Sequence, residues 1–304
     1  MGAAVELPDA LALGVGGVLG EAWMTGVLAG ISTAAGIDFR DCEQVIGTSA
    51  GSIVGAYLVS GQPLRQPGDV PREVLPTQPP VSDGLRATLL RRAATVGLAA
   101  GAPLAPLALS ATARVGAMTR AALLSWSPRG ALDLNGLGAR LDRLGARFDG
   151  RLRVIAVDRA RGRRVVFGDP GAPQATVGKA VEASCAVPGL FRPVTIGGRA
   201  YVDGGAWSPT NLDVIPARRG MQVLCLTPTG RVASLRSPTI AWRAMSRSST
   251  TIELASLRRR GAAVRVVAPD DESARAMGEN LMDEAPRERV LTAGYRQGLA
   301  LTSR

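Results

Sequence analysis

The chain contains no histidine. A Ser-His-Asp triad cannot be assembled from it, so a serine nucleophile here needs another proton acceptor. Cysteine is scarce. Cys42, Cys185 and Cys225 stand far apart without metal-ligand spacing, and an odd count with no pairing signal suits a reducing cytoplasm. Aromatic residues make up only 4%, so a core has to be built from Ala, Val and Leu. No aromatic-and-basic interleaving offers a stacking platform, and no helix-turn-helix or zinc signature is present, which argues against a nucleic-acid partner. The N-terminus lacks a basic region ahead of an apolar one, and Glu6 and Asp9 come early, so the sequence reads as having no secretory signal. Glu6 also spoils a myristoylation match after Gly2.

What remains is a 304-residue chain of net charge +11, with Lys179 its one lysine and arginine supplying the rest. Such a charge is attracted to phosphate polyanions or anionic membranes. The length suffices for one large core or two modest ones. Leu11–Gly14 reads as a buried strand leading into the cluster Gly14-Val15-Gly16-Gly17-Val18-Leu19-Gly20. A helix is expected over Glu21–Ala35, with Gly36 as its cap. Gln44–Ile46 reads as a second strand that runs into Gly47-Thr48-Ser49-Ala50-Gly51, with a helix over Ala50–Leu58. Strand, glycine loop, helix, strand, tight turn, helix is the start of a parallel α/β sheet.

Prolines 63, 67, 71, 76, 79 and 80 then prevent regular structure, and 21 uncharged residues separate Arg92 from Arg114. That stretch reads as a two-helix cap broken at Pro103 and Pro106, flanked by Arg86, Arg91, Arg92, Arg114 and Arg120. The α/β pattern resumes after Asn135. A helix is expected near Leu137–Phe148, strands at Leu152–Val157 and Arg164–Phe167, and a helix over Thr176–Ala186. A hairpin turning at Gly197-Gly198 follows, with strands at Val223–Leu226 and Val264–Val267. Pro238–Arg258 reads as helix, and so does the tail from Glu272 to Leu301, with a break at Pro286. The whole is one domain over residues 8–304, with an insertion at 62–130.

Gly47-Thr48-Ser49-Ala50-Gly51 has the form of a nucleophile elbow. The serine sits in a sharp strand-to-helix turn, and small residues at Gly47 and Gly51 let the chain fold tightly enough to expose its hydroxyl. The helix that follows aims its positive end at Ser49, which favours an oxyanion there. The Gly14–Gly20 cluster admits three readings. As a dinucleotide fingerprint it fails at Leu19 in one register and at Val15 in the other, and the second strand ends in the elbow rather than in an acid for the ribose. As an oxyanion hole, Gly16, Gly17 and Val18 would offer backbone N–H groups that a substrate oxygen can approach closely. The third reading is a strand-helix packing turn. Asp203 is the candidate base beside Gly204 and Gly205. A free Asp, with a pKa near ~3.9, is too acidic for that role at neutral pH unless burial raises it, and Asp-Gly is also a common turn.

These residues together resemble the patatin-like phospholipases. Gly16-Gly17-Val18-Leu19-Gly20 stands where the family has its oxyanion loop, and Gly47–Gly51 where it has its elbow. Ala183-Ser184-Cys185-Ala186-Val187-Pro188-Gly189-Leu190-Phe191 is similar to the segment leading to the family's carboxylate. Asp203-Gly204-Gly205, followed by Asn211, is similar to its D-G-G/A motif. The order of these motifs covers residues 10–215. Two positions depart from the pattern: Val15 replaces the first glycine of the usual triplet, and Leu19 stands where a basic residue is common. The resemblance implies a three-layer α/β/α fold with a mostly parallel sheet, Ser49 as nucleophile and Asp203 as general base. It also implies a lipid or phospholipid ester as substrate and no cofactor. The expected setting is cytoplasmic and peripheral at an anionic membrane. A lipid-binding or regulatory protein with little turnover is the alternative.

Overall fold

The computed structural model describes residues 6–69, 117–134, 136–231 and 240–302. Its centre is an eight-stranded sheet. The strands are β1 (Ala10–Leu13), β2 (Gln44–Thr48), β3 (Leu152–Asp158), β4 (Arg163–Phe167), β5 (Val194–Ile196), β6 (Arg199–Asp203), β7 (Gln222–Leu226) and β8 (Ala263–Val267). They lie in the order β5-β6-β3-β2-β1-β7-β8, with β4 also paired to β3. The run β3-β2-β1-β7-β8 is parallel, whereas β4 and β6 pair antiparallel with β3, and β5 with β6. The fold is thus α/β with a mixed, mostly parallel sheet between helical layers, as expected.

Strand period two sorts side chains to the two faces. Leu11, Leu13, Val45, Val154, Leu224 and Leu226 join one core, while Ala10, Ala12, Ile46, Ile155, Val223 and Cys225 join the other. The first core is covered by α1 (Gly17–Ala35), α2 (Ala50–Val59), α4 (Leu137–Arg143), α5 (Val177–Cys185), α7 (Asp271–Met277) and α8 (Arg287–Thr302). The second is covered by α6 (Ile240–Arg259) through Leu254 and Leu257. On the same face, α3 (Ala117–Trp126) buries Leu124 against Val157 and Val202.

The register of β3 arranges the rest. Ile155 pairs with Thr48 on one edge and Val166 on the other, and Ala156 pairs with Asp203 and Val165. A residue has only two sheet edges, so β2 and β6 share the edge that β4 leaves open. β2 runs with β3 and β6 runs against it. Their C-terminal ends therefore meet head to head at Ile155 and Ala156.

Several boundaries differ from the sequence reading. α1 begins at Gly17 rather than Glu21, because the glycine cluster is absorbed into its first turn, Gly20 N–H donating to Gly16 C=O at 2.8 Å. β2 continues to Thr48, since β3 offers partners through Ile155. α4 stops at Arg143, where Leu144 and Gly145 turn the chain. The tail breaks over residues 278–286 rather than at Pro286 alone, with Gly278 at φ 64° ending α7. Most of the expected insertion, including the 93–113 stretch and Arg86, Arg91, Arg92 and Arg114, lies outside the described residues. Arg120, expected to flank the uncharged stretch, is buried in the fold. It is 1% exposed, donates to Gly162 C=O and stacks its guanidinium 4.2 Å from the Trp207 ring centroid.

α1 is long and apolar enough to cross a bilayer, yet it is the buried central helix, covered from Leu19 to Ile31. Its closest partner is α8. A methyl group on Gly26 or Gly30 would run into the backbone of Leu291 or Tyr295, and one on Gly294 or Gly298 into that of Trp23 or Val27. The two helices are thus in backbone contact through paired glycines four residues apart, the small-xxx-small spacing that allows such approach. Trp23 Nε1–H donates to Gln297 Oε1 at 2.8 Å across the same seam.

Adding bulk to this seam must force the helices apart. Overpacking costs about 1–3 kcal/mol or more, and Gly298→Val should lower the thermal midpoint by roughly 3–10 °C. Calorimetry or circular dichroism decides it, and an unchanged midpoint would mean that the helices do not touch in this way.

Candidate active site

Ser49 is the hinge between β2 and α2. Its backbone, at φ 53° and ψ −122°, lies where L-residues are uncommon. Among the described residues only Asn211 is another non-glycine with positive φ. The flanking glycines are sterically required. A Cβ on Gly47 would come within 2.5 Å of Ser52 Cα, and one on Gly51 would strike the Leu13 carbonyl of β1. The Ser49 N–H donates to Ser184 Oγ at 2.8 Å, and Ser184 Oγ donates to Ile155 C=O at 2.6 Å. Ser184 is wholly buried and rivets the turn to β3.

Asp203 ends β6 directly against this turn. It faces the side of the sheet that Tyr201 faces, two residues earlier, and is 1% exposed. Its N–H donates to Ala186 C=O at 2.9 Å, and its Oδ1 accepts from Gly205 N–H at 2.6 Å. Gly204 passes so close to Ile155 C=O and Thr48 that no side chain fits. The Ser49 side chain lies close enough to the Asp203 carboxyl to favour its charged form. Burial pushes the Asp203 carboxyl up to about 7, against the smaller downward pull of Ser49 and Gly205. The buried Cys185 thiol lies beside the same turn, 3.9 Å from Ser52 Oγ. Burial first, then the nearby Asp203 charge, drives its pKa far up, so it stays a neutral thiol.

The glycine loop supplies unused donors. Gly14 N–H is taken by Leu226 C=O, Val15 N–H by Pro209 C=O and Leu19 N–H by Leu281 C=O. The N–H groups of Gly16, Gly17 and Val18 fall between these, at the positive end of α1, with no protein acceptor among the described residues. Gly17 sits at φ 60°, and a Cβ there would lie 2.7 Å from Leu281 C=O and 2.8 Å from Met282 Sδ. Sequence reasoning named Gly16, Gly17 and Val18 but missed Leu281 and Met282, which come from the break between α7 and α8. No motif marks those two.

The site also contains a turn that sequence reasoning touched only at Asn211. Asn211 Nδ2 donates to Thr48 Oγ1 at 3.2 Å and to Ser208 C=O at 2.7 Å. The same turn holds the glycine loop through Pro209. Among the described residues, no group of three His, Cys, Asp or Glu side chains is placed to hold a metal ion.

The structure brings the Ser49 turn and Asp203 to neighbouring positions on β3, with Gly47, Gly51, Gly204 and Gly205 flanking them, while the Gly16–Val18 amides stand at the start of α1. The family model described as patatin-like phospholipase matches residues 11–215. The crystal structure of VipD from Legionella pneumophila is similar at 15% identity and a TM-score of 0.44, covering 99% of this chain and 67% of that one. No curated protein matches the chain.

The buried Asp203 carboxyl has a thermodynamic consequence. Its pKa is about 7 in the folded chain against an ordinary 3.8. Between those values the folded state keeps a proton that the unfolded state has lost, so stability falls as pH rises through the window and stays lower above it. Asparagine keeps the acceptor for Gly205 and has no charge to bury. Asp203→Asn should therefore match the parent near pH 4 and exceed it in thermal midpoint by pH 8. A difference that does not grow with pH would show that Asp203 is not desolvated.

Proposed function

Because this chain belongs to the patatin-like phospholipase family of lipid acyl hydrolases, we propose that it cleaves the acyl ester of a phospholipid or other acylglycerol-type lipid with a Ser49–Asp203 dyad. The observation that carries this reading is a buried carboxyl, pushed up to about 7, at the end of β6 where β2 delivers Ser49 to the neighbouring position on β3. A carboxylate of that basicity can accept a proton at neutral pH, which an ordinary aspartate does poorly.

In the proposed sequence, Asp203 takes the hydroxyl proton as Ser49 Oγ attacks the ester carbonyl carbon. The oxyanion is held by the Gly16, Gly17 and Val18 amides and the positive end of α1. The tetrahedral intermediate collapses, and the alcohol leaves with the proton from Asp203. Water then attacks the acyl-serine, losing its proton to Asp203, and the fatty acid departs as Ser49 recovers its hydrogen. No cofactor takes part. A second reading, a lipid binder with little turnover, is favoured by Leu19, which is fully buried and brings no positive charge to the loop. Labelling of Ser49 by a fluorophosphonate separates the two.

Ser49→Ala and Asp203→Asn should each abolish hydrolysis of lipid and short soluble esters, and the double variant should be no worse than either single. Gly17→Val should lower kcat by ~10²–10³, the cost of misplacing one oxyanion donor. For the parent protein, kcat/KM should rise with pH and level off above about 7, as Asp203 ionises. Full activity of a folded Asp203→Asn protein would remove the dyad.

The same reading places the protein in the cytoplasm, peripheral at an anionic membrane. α3 carries Trp126 at 90% and Met118 at 88% exposure, side chains suited to an interface between headgroup and acyl chain. Binding to anionic vesicles should weaken with salt and be lost when Arg86, Arg91 and Arg92 become Gln, while hydrolysis of a soluble ester survives. Sedimentation with vesicles regardless of their charge would leave the segment without a role in membrane binding.

A further inference from the structure

The turn that touches both halves of the site is itself held by a carboxylate from elsewhere in the chain. Glu253 lies on α6, outside the residues matched by the family model. It is 7% exposed. Its Oε2 accepts from Thr210 Oγ1 at 2.8 Å and from Leu212 N–H at 2.9 Å. Inside the turn, Ser208 Oγ accepts from the N–H groups of Thr210 and Asn211 at 3.3 and 3.2 Å. From the far side, Arg164 donates to Asn211 Oδ1 at 3.1 Å and to both oxygens of Asp213 at 2.6 and 2.8 Å.

Out of this clamped turn run two contacts to separate parts of the candidate site. Pro209 C=O accepts from Val15 N–H at 3.0 Å, next to Gly16. Asn211 Nδ2 donates to Thr48 Oγ1 at 3.2 Å, next to Ser49. Asn211 makes that reach from a left-handed backbone, φ 51° and ψ 34°, which asparagine adopts more readily than other residues with a side chain. A carboxylate buried this deeply costs stability, and burial pushes the Glu253 carboxyl up to about 7. A neutral side chain could fill the volume. What a carboxyl supplies is an acceptor for two donors at once.

We propose that Glu253 is a positioning residue, clamping the Ser208–Leu212 turn so that Pro209 and Asn211 keep the glycine loop and the Ser49 strand in mutual register. The inference rests on the Ser49–Asp203 reading for its catalytic consequence, but not for the mechanical coupling itself. Glu253 touches no reacting atom. Its effect passes through the turn to the distance between nucleophile and oxyanion donors, where a displacement of about 1 Å can cost about 100-fold in rate.

Two readouts on the whole chain test this. In Glu253→Ala the Val15 amide should exchange hydrogen faster, although Val15 does not touch Glu253, while amides along the α1–α8 seam keep their protection. On a short soluble ester, kcat should fall by about tenfold to 100-fold with KM little changed. Glu253→Gln retains an acceptor for Thr210 and Leu212 and should restore both. If Glu253→Ala does not fold, Thr210→Val, which at constant shape removes one of the two bonds to Glu253 together with the contact to Thr250, should show the same two changes more weakly. Val15 exchange and kcat that stay at the parent level in a folded Glu253→Ala protein would overturn the proposal. So would exchange that rises uniformly across the chain in both variants, because that is lost stability rather than lost register. If the parent protein itself hydrolyses no ester, the dyad reading fails, and Val15 exchange still decides the clamp.

Discussion

The structure turns on the shared edge of β3. β2 and β6 meet there end to end, one parallel and one antiparallel, so that Thr48 and Asp203 pair with neighbouring residues of a single strand. Sheet register, rather than loop conformation, sets the approach of Ser49 to the carboxyl. Each end is then fixed by short bonds, Ser49 through Ser184 to Ile155 and Asp203 through Ala186. Sites held on strands and helices keep their geometry better than sites on loops. In a chain without histidine, no imidazole can stand between that serine and that carboxyl.

Burial is the second constraint, and it acts in opposite directions on stability and chemistry. The same desolvation that raises Asp203 to about 7 destabilises the folded chain above that pH. Glu253 bears a similar burden one layer away. The described core has to offset both. It does so with few aromatics, by letting helices approach to backbone contact. α1 and α8 meet through Gly26, Gly30, Gly294 and Gly298, and α1 carries the Gly16–Val18 amides at its first turn. The packing that stabilises α1 therefore also sets where those donors point. Leu281 and Met282, just ahead of α8, close against Gly17.

Much was legible in the chain because it depends on local chemistry. Gly47 and Gly51 around Ser49 announce a turn too tight for side chains, and the contacts of both residues are the reason. Gly36 and the Gly197-Gly198 turn ended their elements where expected, because left-handed backbone selects glycine. The excess of arginine was less informative. Arg120, grouped by sequence with the arginines that flank the uncharged stretch, is buried on Trp207, and charge alone does not say which side of a helix faces water.

The sequence by itself determined the α/β class, the elbow, the absence of an imidazole route and the identity of the two candidate reacting groups. Each follows from residue type and spacing over a few positions. Only the tertiary structure decided that Asp203 lies beside the turn of Ser49, 154 positions earlier in the numbering, and that burial raises its carboxyl to about 7. It alone revealed the contacts of Ser184 with Ser49, of Pro209 with Val15 and of Glu253 with Thr210 and Leu212. A carboxylate's basicity and a hydroxyl's partner are set by what surrounds them in space, and distant segments become neighbours only when the sheet chooses its strand order and register.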